Sequence, residues 1–420
     1  MRLSAHPVEE WESQCKSQLS PVLTEQGFDL FPQVSITFTF APTDTGINGQ
    51  LLSSRSTALT RDPESSCPVN HMKIASVASA LPQNYYSQAD ISAALKEHWE
   101  SDFCRPATID RLHSRMGVEC RALSLPLEAY REERSWGVTN SIWIQAAQAL
   151  GETAIERALA ETRLPYDRLG AFFFVSVTGI ASPSIDARLV NRMGLPKSIK
   201  RVPIFGLGCV AGAAGIARAA DYVKAHPDEA AILLSVELCS LTWQRKDLSP
   251  ANVISSGLFG DGAAAVIIAG RHLHCAGPQV VATRSIFYPD SEQLMGWQIS
   301  EAGFRILLSP DVPRIILENL EADVDEFLWD QGLDKTDIET WIMHTGGPKV
   351  LLAIEASLKL PKDALAASWE SLREVGNLSS ASVLLVLERF MKDRRPRTGS
   401  YSLLAAMGPG FCAELVLIRW

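Results

Sequence analysis

Residues 205–215 read FGLGCVAGAAG, four glycines and a cysteine where an apolar run meets a helical one. Two chemistries compete for this loop. Gly206, Gly208 and Ala211 fit the loose pattern G-x-G-x-x-G/A that cradles a dinucleotide, with the sulfur of Cys209 incidental. Alternatively, Cys209 stands at a helix N-terminus, where unpaired N–H groups and the helix dipole favour a thiolate and lower its pKa. A dinucleotide loop follows the first strand of its βαβ unit and has an acid about 20 residues on. Here strand-like runs precede the loop, and Glu237, the nearest strand-end acid, lies farther away. Cys209 would also crowd a pyrophosphate. The loop reads better as the seat of a nucleophile. A lone cysteine more often packs as a small hydrophobe, so this reading needs partners.

Working outward, the chain resembles itself. AFFFVSVTGIASPS (171–184) pairs with TWIMHTGGPKVL (340–351), each a strand ending in Thr-Gly. GLGCVAGAAGIA (206–217) pairs with EVGNLSSASVLL (374–385), each a glycine, one distinctive residue and a helix of small residues. LFGDGAAAVIIAG (258–270) pairs with AMGPGFCAELVLI (406–418), each G-x-G before a strand. The same order in both sets predicts a duplicated half, with Cys209 and Asn377 at equivalent strand-to-helix junctions facing one centre. The runs RVPIFGLG, AAILLSVEL, GAAAVIIAG, SYSLLAAMG and AELVLIRW alternate with helical stretches. Near-continuous apolar strands of this kind imply sheets buried on both faces, hence a layered α/β fold.

The repeat also selects the partners. Of eight histidines, His6 and His71 lie in an N-terminal extension and five others in polar stretches; only His344 ends an apolar strand and precedes a turn. A histidine there is often a satisfied core residue, but beside Cys209 it would form a nucleophilic pair. Asparagine next to glycine is commonly a cap or turn residue. Opposite the cysteine, Asn377 becomes a donor that does not titrate, aimed at a developing oxyanion. Cys, His and Asn converging from separate segments suit acyl transfer.

Length and composition bound these readings. A chain of 420 residues, 46% hydrophobic and 21% charged, has ample core for one large or two ordinary domains. A net charge of −9 argues against nucleic acid or an anionic membrane as the main partner. No run approaches the roughly 20 apolar residues of a membrane span. The eight cysteines are scattered singly, with no C-x-x-C, which implies reduced thiols, a cytoplasmic address and no metal cluster. Residues 1–71 are rich in Ser, Thr, Pro and Gln, and read as a largely disordered extension with one isolated strand, FPQVSITFTF. A strand opens at Met72, where translation could also start and leave a complete domain. A helix follows from Ser87, with Asp90 in capping-box position.

The motifs GLGCVAG, LFGDGAAAVI, HTGGPK, GNLSSAS and MGPGF together resemble the type III polyketide synthases, the chalcone-synthase-like members of the thiolase superfamily. The resemblance covers about residues 72–420 and departs from the family at Thr345, where proline is common. It implies a thiolase-like layered αβαβα fold from two pseudo-repeated halves: 72–275 carrying Cys209, and 276–420 carrying His344 and Asn377. It further implies that Cys209 carries the starter and growing chain as a thioester. His344 and Asn377 would hold the malonyl thioester carbonyl during decarboxylation, and Phe259 would stand between the CoA tunnel and the cavity.

TGIASPSIDARL, SVELCSLTW and LMGWQISEAGFRILLS are similar to bacterial alkylresorcinol and alkylpyrone synthases. By that likeness Ser182, Cys239 and Ile306 line an alkyl tunnel, and Thr242 and Ser379 line the cavity. Arg111, Arg115 and Lys349 would form a basic rim for CoA. The substrates implied are malonyl-CoA and a long-chain acyl-CoA, with no cofactor, and the assembly implied is a homodimer. The rival within enzymes is a ketoacyl synthase III-like enzyme performing one condensation on acyl carrier protein; the rival outside them is an inactive scaffold. Thiolases and hydroxymethylglutaryl-type synthases fit less well, because MGPGF lacks a second cysteine and no glutamate adjoins Cys209.

Overall fold

Side chains that alternate between two apolar environments build the centre of this molecule. In the computed structural model, which describes residues 72–99 and 106–420, Phe173 points into one core while Phe172 and Phe174 point into another. The extension at 1–71 and its FPQVSITFTF strand lie outside the described residues.

The strands are β1 (Lys73–Ala80), β2 (Asn84–Ser87), β3 (Cys120–Leu123), β4 (Leu169–Val175), β5 (Lys200–Ile204), β6 (Ala230–Leu238) and β7 (Asp261–Ala269). They continue as β8 (Gln279–Phe287), β9 (Met295–Ser300), β10 (Gly303–Leu308), β11 (Ile338–Met343), β12 (Tyr401–Gly408) and β13 (Cys412–Arg419). The helices are α1 (Gln88–Trp99), α2 (Pro106–His113), α3 (Trp136–Thr162), α4 (Ile185–Met193) and α5 (Ala211–Ala225). After them come α6 (Pro250–Leu258), α7 (Val312–Trp329), α8 (Pro348–Leu358), α9 (Ala366–Val375) and α10 (Ser382–Lys392). Ser87 and Asp90 form the expected capping box at α1: each backbone N–H donates to the other's side chain, at 3.3 and 3.1 Å. Among the described residues, no helix is long and apolar enough to cross a membrane.

The strand order β5-β4-β6-β7-β1 is joined to β8-β13-β12-β11 through the single pair Lys73↔Gln279. In the first set β4 runs parallel to β6, β6 antiparallel to β7 and β7 antiparallel to β1. In the second, β11 runs parallel to β12, β12 antiparallel to β13 and β13 antiparallel to β8. The duplicated pattern seen in the sequence is thus a duplicated topology. Strand β5 is its exception: the run RVPIFGLG forms an exposed edge, with Val202 37% and Phe205 50% accessible, and is not buried on both faces.

Three cores define five layers. Trp143, Ala147 and Ile155 of α3 cover Phe172, Ile232 and Ile267 on one outer face. Ile316 and Phe327 of α7, with Leu351 and Ile354 of α8, cover Trp341, Leu403 and Leu415 on the other. Between the sheets, α5 and α10 share one core with Phe173, Leu233, Leu404 and Val416. A helix sandwiched this way must be thin and apolar where it is enclosed, and AGAAGIA (211–217) meets that need, while Arg218, Asp221 and Lys224 farther along stand exposed. A Cβ on Gly212 would lie 2.2 Å from the Ser380 carbonyl oxygen, and one on Gly215 would lie 2.4 Å from Leu233.

The closeness at Gly212 yields a stability prediction. Gly212→Ala should lower the denaturant midpoint by an amount corresponding to about 1–3 kcal/mol, despite alanine's better helix propensity. An unchanged or raised midpoint would show that the two central helices do not pack this closely.

Candidate active site

The nucleophile candidate and its pseudo-repeat partner sit on the same local device. Gly208 adopts φ 54° and Gly376 φ 74°, a region that favours glycine, and each precedes the functional residue. A Cβ at Gly208 would strike Pro409 at 2.8 Å, and one at Gly376 would strike the Leu258 carbonyl at 2.7 Å. Cys209 then lies in a single 3-10 turn, Gly208–Val210, that runs into α5. Asn377 is followed by the 3-10 turn Ser379–Ala381, which runs into α10. His344 extends β11 by one residue, its backbone N–H donating 3.0 Å to the Ala405 carbonyl of β12.

All three residues are buried, and all three line one cavity together with Phe259, Ile306, Cys239, Thr242 and Ser379. Asn377 Oδ1 accepts from the Ser379 N–H at 2.7 Å and from Ser382 Oγ at 3.3 Å, which turns the Nδ2 donor toward the cavity. Its backbone is tied to the Phe259 loop: Asn377 N–H donates to Leu258 O at 2.9 Å, and Gly260 N–H donates to Asn377 O at 3.0 Å. The oxyanion donor candidate and the aromatic candidate are therefore set by one pair of hydrogen bonds.

Burial holds the His344 imidazole down to about 4, so the ring is neutral near pH 7. Its Nδ1 is buried without a hydrogen-bond partner. A bare lone pair is a more tolerable orphan than a bare N–H, which assigns the proton to Nε2 and makes that atom a donor. Burial also pushes the Cys209 thiol up to about 12; the nearby Glu237 acts in the same sense, and a hydrogen bond with Ser379 opposes both. The Sγ···Ser379 Oγ distance is 3.6 Å. Loss of water around the sulfur therefore acts against the acidification expected at a helix terminus.

Two buried carboxyls brace the site. Glu237 accepts from Val177 N–H at 3.1 Å, Thr178 Oγ1 at 3.0 Å, Ser176 Oγ at 3.3 Å and Ser380 Oγ, joining the β4 loop, β6 and the start of α10. Asp261 accepts from the backbone N–H groups of Ser124 at 2.6 Å and Ser240 at 2.8 Å, and from both hydroxyls, fixing the turn that carries Cys239 and Thr242. The sequence reading missed Asp261 and Arg121. Their signals were a charge opening the apolar strand of LFGDGAAAVI and one inside the buried strand CRAL.

Ser182 is a correction: it is exposed and does not line the cavity. The loop leaves the cavity after Thr178, because Gly179 packs against the Trp143 ring and Ile180 is held by Asn140 of α3 at 2.7 and 2.9 Å. Arg111, Arg115 and Lys349 are exposed and lie outside the cavity lining, whose basic members are Arg121 and Arg131.

Comparison with known proteins agrees with this architecture. Residues 70–271 match the family model of the chalcone and stilbene synthases, N-terminal domain, and residues 279–420 match the C-terminal domain. A 1,3,6,8-tetrahydroxynaphthalene synthase from Streptomyces peucetius subsp. caesius is 47% identical over 83% of this chain and 93% of its own length. A phloroglucinol synthase from Pseudomonas fluorescens is 31% identical over 81% of this chain and 97% of its own. The crystal structure of 1,3,6,8-tetrahydroxynaphthalene synthase from Streptomyces coelicolor A3(2), a bacterial type III polyketide synthase, superposes with a TM-score of 0.79 at 30% identity. That alignment covers 83% of this chain and 99% of the solved one.

The neutrality of His344 can be measured without substrate. In a Cys209→Ala variant, NMR titration of the labelled imidazole should show no ionisation between pH 5 and 8 and a midpoint at about 4. A midpoint near the ordinary histidine value of about 6.5 would show that the ring is solvated.

Proposed function

This chain belongs to the chalcone and stilbene synthase family, the type III polyketide synthases, and we propose that it extends a long-chain fatty acyl starter on Cys209 with malonyl-CoA. The supporting observation is the cavity wall. The cavity that Cys209 lines is also walled by the apolar side chains Ile91, Ala94 and Leu95 of α1, Leu127, and Val312 and Ile316 of α7. Each methylene of a bound alkyl chain buried there would gain about 0.8 kcal/mol.

In this reading Cys209 Sγ attacks the acyl-CoA carbonyl, and CoA leaves as the thiol, carrying the proton that the cysteine gives up. Malonyl-CoA then places its thioester oxygen between His344 Nε2–H and Asn377 Nδ2–H. Loss of carbon dioxide leaves the electron pair as an enolate held by those two donors, each supplying roughly 3 kcal/mol in a dry site. The enolate carbon attacks the Cys209 thioester, which frees the sulfur and lengthens the chain by two carbons on CoA. Repetition and ring closure would give an alkylresorcinol or alkylpyrone. No cofactor takes part beyond the CoA thioesters. Arg111, Arg115 and Lys349 are the exposed cations offered to the CoA phosphates. The open edge of β5, with Val202 and Phe205, is the surface offered to a second copy in a homodimer.

A second reading takes malonyl-CoA as its own starter and yields a hydroxylated aromatic ring without an alkyl tail. It is favoured by the relatives named for tetrahydroxynaphthalene and phloroglucinol, since neither product carries a chain.

Mass spectrometry of products formed from malonyl-CoA with short, long and aromatic acyl-CoAs separates the readings. Long-chain triketides or tetraketides are expected. Products from malonyl-CoA alone, with long starters ignored, would favour the second reading, and a single condensation requiring carrier protein would favour the ketoacyl synthase III alternative. Cys209→Ala should abolish product; unchanged turnover would sink the assignment. Asn377→Asp, which replaces a donor with an acceptor, should lower malonyl-CoA decarboxylation on the order of 10²–10³-fold. Its size is nearly that of asparagine, so an unaltered rate would remove Asn377 from the oxyanion site.

A further inference from the structure

One buried cation beside the site is not used by the chemistry above. Arg121 of β3 is 1% exposed. Its Nη1 donates 2.6 Å to the Phe259 carbonyl, its Nη2 donates 2.9 Å to Gln88 Oε1, and its Nε has no partner. Gln88 in turn donates through Nε2 to the Gly257 carbonyl at 2.8 Å, so the brace begins and ends on the segment that carries Phe259.

The stem of the arginine runs between the two functional loops. A Cβ on Gly376 would lie 3.0 Å from Arg121 Cδ, and one on Gly260 would lie 3.6 Å from Arg121 Cβ. Gly376 immediately precedes Asn377, and Gly260 immediately follows Phe259. The missing side chains at these two positions make room for the arginine. The loops are also joined by the hydrogen bonds Asn377 N–H to Leu258 O and Gly260 N–H to Asn377 O, which tie the backbones but leave the orientation of the segments to the packing around them. A planar guanidinium fixed at two nitrogens sets that orientation, and a lysine, with a single ammonium on a flexible stem, does not. Burying the charge is costly, and the neighbouring Asp261 acts against that cost.

We propose that Arg121, braced by Gln88, is a positioning residue for chain extension: by holding the Phe259 carbonyl it fixes Phe259 relative to Asn377 on the cavity wall, and this spacing decides whether a loaded chain is extended again or released short. The proposal rests on the reading of Cys209 as the acyl carrier and Asn377 as the oxyanion donor. Loading needs the sulfur of Cys209, which lies on the other junction; extension needs the Phe259–Asn377 spacing. A displacement there of a fraction of an ångström is felt only in the second step.

The test separates those steps. Acylation of Cys209 is followed by intact-protein mass in a single turnover, and extension by the distribution of product lengths with malonyl-CoA. In Arg121→Gln, loading should stay within about twofold while extension per loaded chain falls on the order of tenfold to a hundredfold, with products shifted to fewer units. Arg121→Lys should recover only part of the loss. Gln88→Leu leaves the arginine in place but unbraced, and should shift products in the same direction even if the Arg121 variants fail to fold. Loading and extension falling together, or an unchanged product distribution in a folded Arg121→Gln or Gln88→Leu protein, would overturn the inference. A wild-type enzyme that is never acylated at Cys209 would instead overturn the reading beneath it.

Discussion

The place where α5 crosses the start of α10 is the constraint on which the site depends. Gly212 lies so near the Ser380 carbonyl that no side chain fits between them, and Val383 closes the same contact. Because the crossing falls at the first turn of both helices, their N-terminal ends meet in the middle of the molecule. Cys209 precedes one helix and Asn377 the other, so the approach of two backbones brings two chemistries to one cavity. The duplicated sheets then pack around this pair and leave Cys209 7% and Asn377 2% exposed. Alanine-rich sequence in α5 is thus less about helix propensity than about thickness: a bulkier helix would separate the sheets and the functional ends together.

Excluding water sets the electrostatics of everything nearby. The thiol is pushed up and the imidazole pushed down by the same loss of solvent. The ionisable groups close by are residues with several partners. Glu237 is surrounded by donors from two segments, the β4 loop and the start of α10, Asp261 by two serines, and Arg121 is fixed at two of its nitrogens. Buried ionic groups of this kind add little net stability, but each fixes the relative positions of segments distant in sequence. Here those segments are the ones that bear Thr178, Cys239, Phe259 and Asn377. The polar framework acts on geometry, and the donors it positions act on the substrate.

The sequence was legible where local pattern and global fold agree. A repeated glycine, functional residue and small-residue helix was enough to place Cys209 and Asn377 at matched junctions, and a strand-end histidine was enough to add His344. Each of these depends on chemistry within a few residues. The misreadings share a different origin. Ser182 stands three residues past Gly179, and its direction is set by contacts with Trp143 and Asn140 of α3, which no local pattern records. Strand β5 reads as apolar but falls at the sheet edge, because strand order is a property of the whole chain. The helix terminus of Cys209 is a local feature, whereas the depth of burial that pushes its thiol up is known only once the sheets are closed. Arg121 was passed over because a single arginine in a short strand carries no signal until the two glycines that admit it are seen facing it.

This division bears on how one scaffold serves relatives named for different products. In the proposed reaction the donors at His344 and Asn377 and the sulfur at Cys209 would act on a thioester, a group common to every starter and every intermediate, so nothing in them would discriminate chain length. Discrimination must come from surfaces the chain meets after bond formation: the wall from Ile91 to Leu127, the turn of Cys239 and Thr242, and the spacing of Phe259 from Asn377. Those surfaces are held by Asp261 and Arg121, which touch no reacting atom. A change of product therefore requires no change in the reacting groups. It requires only that the supporting hydrogen bonds shift a wall by an ångström, a scale on which a packed interior responds to a single methylene.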